Sequence, residues 1–459
     1  MSEQANISGL VSLIAGAAGK IESYYTANPA KPYVPPLSDT EPHPLDSKIY
    51  PLDVRKAVQT LEGACAQLCA TLVRPNHTVL NRHLNIYQTA YLSVALRAQV
   101  ADILLDEPAG LHVSEISKRC KIEEKKLARI LRTLCSQHIF REVSRDTFAN
   151  NRLSMLFLSS DPLSSMGLHI SDEPTNKSAV HLADTLLDPE WGFSDAPGRS
   201  SFNYAFGTPD SMFRYFEGRK QKDNPKAAEQ GAQFGRAMIG GNAACDASAI
   251  ITGYPWGELS QGATVNDVGG GVGHISMELC KRYKNLNLKL QDLPERIEQA
   301  EKDFWPKGCP EAIADGRIGF KPIDLLAEKP IAHCDIYLLK NVIHLMSDEV
   351  AIKALSNVRS VMSPTSRVLV QEFILQSAVR VSDDEIALGQ ADPPLLPNYG
   401  VGRIRQYYFD AIMMVLQNGQ ERSSDDFIRI GKRAGLELVK IWDLGETSAV
   451  EFAPAGLEK

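Results

Sequence analysis

The chain is 459 residues long, enough for two or three domains and a sizeable core. A content of 44% hydrophobic and 23% charged residues is that of an ordinary globular protein and excludes a disordered or fibrous one. The net charge of −7 argues against a nucleic-acid partner, because phosphate contacts need a basic face.

Near the N-terminus, residues 7–18 form an apolar run of signal-peptide length, but Glu3 precedes it and no Lys or Arg does. The run is too short to span a bilayer, so it reads as a helix docking on the body or on a partner subunit. No other run approaches membrane length, and the expectation is a cytoplasmic protein without a membrane partner. Cys65, Cys69, Cys120, Cys135, Cys245, Cys280, Cys309 and Cys334 form no CxxC pairs, which reads as buried reduced thiols. Seven prolines between 29 and 51 mark an extended connector. From 52 to 100 the spacing is helical, with Val54, Ala57, Leu61, Ala64 and Leu68 on one face. Cys65 and Cys69 lie one turn apart there and read as small core residues rather than metal ligands.

Residues 90–170 form a recognisable unit. A helix over 92–105 is followed by a start at 112–117, with Ser114 and Ser117 as candidate caps. A second helix over 123–136 carries Leu127, Ile130, Leu131 and Leu134. Segments 140–143 and 147–149 then read as a short hairpin. Helix–turn–helix plus wing is a winged-helix pattern, in which Lys118, Arg119, Lys121, Lys125, Lys126 and Arg129 could face DNA. Glu115, Glu123 and Glu124 interrupt that potential, which favours a solvated surface on a dimerisation module.

Residues 171–262 concentrate aromatics: Trp191, Phe193, Phe202, Tyr204, Phe206, Phe213, Tyr215, Phe216 and Phe234. These can line an apolar pocket or fill an interdomain core. From 263 onward strands at 264–268, 287–292, 334–340, 367–374 and 436–442 alternate with helices at 275–284, 294–304, 347–362 and 404–417. The pattern predicts an α/β fold, a mainly parallel sheet with helices on both faces. Ligands then bind at the carboxyl ends of the strands, where Gly269, Asp292, Lys340 and Glu372 fall.

The run from Val265 to His274 ends a strand in an acid and enters a helix through Gly269, Gly270, Gly271 and Gly273. Glycines there allow backbone to approach a nucleoside-bearing ligand, and Asp292 on the next strand can accept from two ribose hydroxyls. A dinucleotide fingerprint needs Gly-x-Gly-x-x-Gly/Ala, which fits neither from Gly269 nor from Gly271. The acid before the glycines, Asp267, can instead face the cationic end of an amino-acid-bearing cofactor. Further on, His344 follows a strand end and precedes a helix. Alone, a histidine there is more often structural. Glu372 in an otherwise apolar strand and Glu421 after a turn change that reading, since carboxylates support a general base.

From about 234 to 452 the chain resembles the small-molecule O-methyltransferases of plants and fungi that use S-adenosylmethionine, in particular the fungal members of phenolic and polyketide metabolism. The resemblance rests on Asp267-Val268-Gly269-Gly270-Gly271-Val272-Gly273, Gln291-Asp292-Leu293-Pro294, Ile323-Asp324-Leu325-Leu326, Leu339-Lys340-Asn341-Val342-Ile343-His344 with Ser347-Asp348-Glu349, and Asn418-Gly419-Gln420-Glu421-Arg422. It implies a Rossmann-like catalytic sheet of the class I methyltransferase type, with the winged-helix unit as a dimerisation domain and a homodimer as the assembly. By resemblance Gly269, Gly270 and Gly271 cradle S-adenosylmethionine, Asp292 with Leu293 holds its ribose, Asp324 and Leu325 frame its adenine and Lys340 adds a contact. His344 would be the base, held by Glu372 and Glu421. Phe234, Met238, Met413 and Asn418 would line the acceptor pocket, the acceptor being a small phenol. S-adenosylhomocysteine is the implied by-product and no metal is implied.

The chain departs from the family in Leu345-Met346, where Asp-Trp is common, in an extra segment between Glu372 and Asp410, and over residues 1–60. The expected divisions are a helix and Pro-rich connector over 1–51, the winged-helix-like unit over 52–170, a helical pocket region over 171–262 and the cofactor-binding domain over 263–459. Two other classes of function compete: a nicotinamide-dependent oxidoreductase, and a non-catalytic winged-helix regulator or inactive methyltransferase-like protein.

Overall fold

The computed structural model describes residues 6–216, 227–382 and 388–456. At its centre lies a seven-stranded sheet of β1 (Ala263–Val268), β2 (Leu286–Asp292), β3 (Ile318–Pro322), β4 (Ile336–Lys340), β5 (Arg367–Glu372), β6 (Leu436–Asp443) and β7 (Ser448–Pro454). The spatial order is β6-β7-β5-β4-β1-β2-β3, and β7 alone runs opposite to the other six. From β1 the chain builds outward to β3 on one side, then returns to add β4 and β5 on the other. The sheet therefore has a topological switch point beside β1, where ligands of such folds bind.

Both sheet faces are covered, as the near-continuous apolar strands require. Successive side chains point to opposite faces. Leu338 packs with Val265, Leu288, Leu279, Cys280 and Trp305 in one core. Its neighbours Tyr337 and Leu339 pack with Val370, Ala354, Leu355, Phe427 and Ile430 in the other. Buried Trp305 and Trp256 place their N–H groups on the carbonyls of Val272 (3.0 Å) and Ile250 (2.8 Å). Neither ring therefore buries an unpaired donor.

Two strands of this sheet were not anticipated. β3 is an edge strand containing Gly319 and ending at Pro322, residues that weaken a strand signal. β7 is made a strand by its partners, since β5 and β6 flank it on both sides. Conversely, β4 begins at Ile336 and β5 stops at Glu372, with Ile374–Leu375 leaving the main sheet to pair with Arg422–Ser423. The expected helix over 294–304 is Pro294–Gln299, a π turn over Ala300–Phe304 and a last turn, Trp305–Gly308.

The N-terminal half is helical. Ile7–Thr26 docks on the body, placing Leu10 against Ala64, Leu395 and Tyr399. The helical stretch expected from 52 breaks at Arg74, before Pro75, into Leu52–Leu72 and Pro75–Arg97. Ile103 ends a separate turn beginning at Val100, which corrects the single helix expected over 92–105. Cys65 and Cys69 are exposed rather than core residues, and Cys120 and Cys135 are half-buried, while Cys245, Cys280, Cys309 and Cys334 are buried.

Val113–Cys120, Glu124–Cys135 and a three-stranded sheet of Leu111–His112, Arg141–Ser144 and Thr147–Ala149 make the winged unit around Leu104, Ile116, Leu127, Leu131 and Phe148. Its first helix is capped by the His112 ring, which accepts from Ser114 N, and not by Ser114 or Ser117. Ser117 instead donates to Ile122 O at 2.6 Å. Acids partner two residues of the basic face: Lys118 meets Glu115 at 2.6 Å and Arg119 meets Glu107 at 3.1 Å. Apolar Val79, Leu80, Leu84, Ile86 and Tyr87 on helix Pro75–Arg97 are exposed. No described helix is long and apolar enough to cross a membrane.

Candidate active site

The carboxyl ends of β1, β2, β4 and β5 bring Asp267, Asp292, Lys340 and Glu372 to one edge. Strand register does this: Asp267 lies opposite Leu290 and Leu338, and Lys340 opposite Gln371. The Gly269 and Gly270 N–H groups return to Gln291 O at 2.7 and 3.4 Å, closing a tight turn before helix His274–Arg282. Gly271 adopts φ +62° with open space where a Cβ would project. A side chain there would be strained and would occupy the cradle. Its N–H donates to Asp292 Oδ2 at 2.7 Å, and Asp292 Oδ1 accepts from Leu293 N at 2.7 Å. Each oxygen keeps a further lone pair for a ligand hydroxyl. Burial raises the Asp292 pKa.

Asp267 is buried beneath the loop and accepts from Ser276 Oγ at 2.6 Å. Burial pushes its carboxyl up to about 6, against the pull of that hydrogen bond and of Lys340. Lys340 donates to Asn242 Oδ1 at 3.0 Å, and burial lowers its ammonium to about 8. The edge thus sets the Lys340 ammonium and the Asp267 and Asp292 carboxylates beside the glycine loop, charges and acceptors that suit the amino-acid and ribose groups of S-adenosylmethionine. Leu293 is exposed, Leu325 is buried in the second core and Asp324 is exposed, its carboxylate accepting from Leu326 N at 3.0 Å.

His344 lies on the turn Ile343–Leu345 after β4. Val342, two residues earlier, packs its Cγ2 within 2.7 Å of where a Gly269 Cβ would stand, so the histidine segment abuts the glycine loop. The His344 ring is buried, and its Nδ1 lies 2.7 Å from Glu421 Oε1. A carboxylate can only accept, so Nδ1 carries the proton and Nε2 is the basic nitrogen. Burial acts to lower the imidazole pKa, but the charge and hydrogen bond of Glu421 outweigh it and the net shift is upward.

Glu372 does something else. Its Oε1 accepts from the backbone N–H groups of Val342 (3.2 Å), Ile343 (2.6 Å) and His344 (3.0 Å). It holds the main chain of the turn, not the imidazole. Burial pushes its carboxyl up to about 7, with the His344 charge opposing. Glu421 N donates in turn to Asp410 Oδ1 at 2.8 Å. At Gly419 a Cβ would collide with His344 O, so only glycine lets the two loops meet.

The residues read as acceptor contacts fall on two helices. Phe234 and Met238 lie on Ala227–Ala244, half-buried, and Phe234 meets Phe213 and His169 edge-on at 5.8 and 5.2 Å between ring centres. Asn242 continues the same helical face at i+4 and reaches Lys340, so this face leads to the cofactor edge. Met413 is half-buried on Ile404–Gln417, and Asn418 ends that helix at φ +56°. The Asn418 amide donates to the carbonyls of Ser194 and Ala196, a structural duty the sequence reading did not include. Of the aromatics before the glycine loop, Phe202 is fully buried but Phe193 is 93% exposed, and the side chain of Phe216 lies outside the described residues. Asn242, Ser276 and Asp410 were missed as site residues. For Asn242 the i, i+4, i+8 spacing from Phe234 was the available signal. Among the described residues no three His, Cys, Asp or Glu side chains converge as a metal site.

Comparison with known proteins shows the family. Residues 181–437 match the O-methyltransferase domain, and residues 81–160 match the O-methyltransferase dimerisation domain. A 3-O-methyltransferase 2 of Phanerochaete chrysosporium is 37% identical over 452 residues, covering 98% of each chain. The solved structure of the mitomycin 7-O-methyltransferase MmcR aligns with a TM-score of 0.64 at 22% identity, over 85% of this chain and 99% of that one. CalO1, a methyltransferase in calicheamicin biosynthesis solved in an SAH-bound form, gives 0.62 at 24% identity, over 83% and 98%. Those two structures speak to the fold. With more than half its length matched by the catalytic domain and a relative alike from end to end, the chain belongs to the O-methyltransferase family.

Proposed function

We propose that this O-methyltransferase moves a methyl group from S-adenosylmethionine to a phenolic hydroxyl of a small aromatic metabolite, with His344 as general base. The observation that carries this reading is the His344 imidazole, tied through Nδ1 to Glu421 on a turn that abuts the glycine loop. A phenol has a pKa of about 10, so little phenolate exists at neutral pH and a base is needed. Nε2 of His344 takes the hydroxyl proton as the oxygen becomes nucleophilic, and Glu421 stabilises the imidazolium that forms. Asp292, Leu293 and the glycine loop hold the ribose and the methionine part, Asp324 and Leu325 the adenine, and Lys340 the polar end. When bound, S-adenosylmethionine supplies an electrophilic methyl carbon and leaves as S-adenosylhomocysteine. The site is mostly buried, which favours alignment and the loss of opposite charges as the methyl group passes.

The test is a panel of phenols incubated with isotopically labelled methyl donor and read by mass spectrometry. A labelled aryl methyl ether is expected, and label appearing only on amines or carbon would sink the phenolic reading. A nicotinamide cofactor is disfavoured by the glycine spacing, and a DNA-binding role by the net charge of −7 and by the acids that pair with Lys118 and Arg119 on the winged unit.

Asp292→Ala removes an acceptor for ligand hydroxyls and frees the Gly271 N–H. Charge-assisted hydrogen bonds of this kind are worth about 1.5–3 kcal/mol, so cofactor affinity is expected to fall roughly 10- to 100-fold. Unchanged affinity by titration calorimetry would remove Asp292 from the site. The exposed apolar face of helix Pro75–Arg97 adjoins and enters the matched dimerisation domain, and we assign it to a homodimer. Sedimentation should give a two-chain mass, and a one-chain mass at all concentrations would overturn the assignment.

A further inference from the structure

His344 sits on a single turn whose backbone is held from two sides by ionisable side chains. The N–H groups point to Glu372. The carbonyls turn the other way, toward Arg422, which is only 1% exposed. Its Nη1 donates to Ile343 O at 3.1 Å and its Nη2 to Met346 O at 2.7 Å. The Nε donates to Asp348 Oδ1 at 3.0 Å. Asp348 is itself held by Gln420 at 2.9 Å and Arg429 at 2.7 Å. Between the two anchored carbonyls, His344 O accepts from Gln420 N at 2.9 Å. Arg422 also follows Glu421 directly in the chain and pairs in register with Ile374, just beyond Glu372.

A guanidinium is a planar fork, and fixing one edge on a carboxylate fixes the direction of the other donors. Here Nε rests on Asp348 Oδ1 and the two Nη atoms span the carbonyls of Ile343 and Met346, on either side of His344. One residue therefore ties the base-bearing turn to the backbone that carries the base's carboxylate partner.

We propose that Arg422, oriented by Asp348, is the positioning residue of this active site, setting the contact between His344 Nδ1 and Glu421 Oε1 without touching either ring or carboxylate. The inference rests on His344 as the base. The charged groups around the imidazole are Glu421 at Nδ1, Glu372 against its turn and Lys340 at the end of β4, with Asp410 behind Glu421. Arg422 acts on the ring through geometry, with Nε on Asp348, Nη1 on the carbonyls of Ile343 and Gln420 and Nη2 on that of Met346.

Arg422→Lys keeps the charge and removes the fork. Turnover is expected to fall roughly 10- to 100-fold, the scale of an ångström-sized misplacement. The acceptor KM and cofactor Kd should change less than about twofold, as befits loss of a contact that matters only at the reacting centre. The His344 imidazole titration, followed by NMR, should move down toward the ordinary value of 6.5 as the Glu421 contact loosens. Asp348→Asn, isosteric and at a partly exposed site, removes the charge that orients the fork and should shift both readouts in the same direction by less. It decides the matter if Arg422→Lys does not fold. A wild-type titration with wild-type turnover in a folded variant overturns the proposal. So does a loss of cofactor affinity equal to the loss of turnover, which would mark an arginine of merely structural use. The imidazole titration needs no turnover, so it stays readable even if His344→Ala proves fully active and the base assignment falls.

Discussion

His344→Ala lowers turnover by about two to four powers of ten, the usual worth of a positioned general base. Cofactor affinity should be nearly unaffected, because the proposed cofactor contacts of the glycine loop and Asp292 lie after β1 and at the end of β2, and Lys340 at the end of β4 makes its own bond to Asn242. The pH profile supplies an independent check. Glu421 raises the His344 pKa above 6.5, so the neutral, proton-accepting ring exists only above that raised value. In the wild type kcat should therefore fall as pH drops through a pKa higher than that of an ordinary histidine. Glu421→Gln removes the charge that raises it, and the acidic limb should move to lower pH. Full turnover in His344→Ala, or an acidic limb indifferent to Glu421→Gln, would refute the base assignment.

Glu372→Ala should act on stability before chemistry. Three buried backbone donors on the histidine turn lose their acceptor. Each stranded buried donor costs about 1–3 kcal/mol, while removing a buried carboxylate relieves some desolvation, so a net loss of about 2–4 kcal/mol is expected. Denaturant titration would measure it, with turnover falling as the turn loosens. Glu372→Gln keeps an acceptor oxygen in place and should stay within about 1 kcal/mol of the wild type. If Glu372 acted on the imidazole by its charge, the glutamine variant would be well folded and catalytically crippled. Near-native stability in the alanine variant would show that the amides have another acceptor.

The pattern of the catalytic half was legible because its physics is local. Strand–loop–helix alternation follows from apolar runs and glycine breaks, and the loop over Gly269–Gly273 stands out by its missing Cβ atoms. The run ending in His344 and the turn before Glu421 could be picked out by residue type and position. What escaped was set by neighbours distant in the chain. β7 becomes a strand through β5 and β6. Helix Val113–Cys120 is capped by a histidine ring, where short polar side chains are the usual signal. The break at Arg74 splits what periodicity joins, and Cys65 and Cys69 lie on the exposed side of their helix.

Residue order by itself determined the fold class, the glycine cradle and the presence of an imidazole with two acids, since these depend on composition and spacing over a few turns. Only the folded chain decided what each acid does. Glu421 reaches the ring across 77 residues and Glu372 reaches the main chain across 28. The register of β4 beside β5 and the short ladder of Arg422 with Ile374 decide which oxygen meets which proton. A hydrogen bond is made or lost over a few tenths of an ångström, and nothing in local propensity specifies a distance between segments so far apart in sequence.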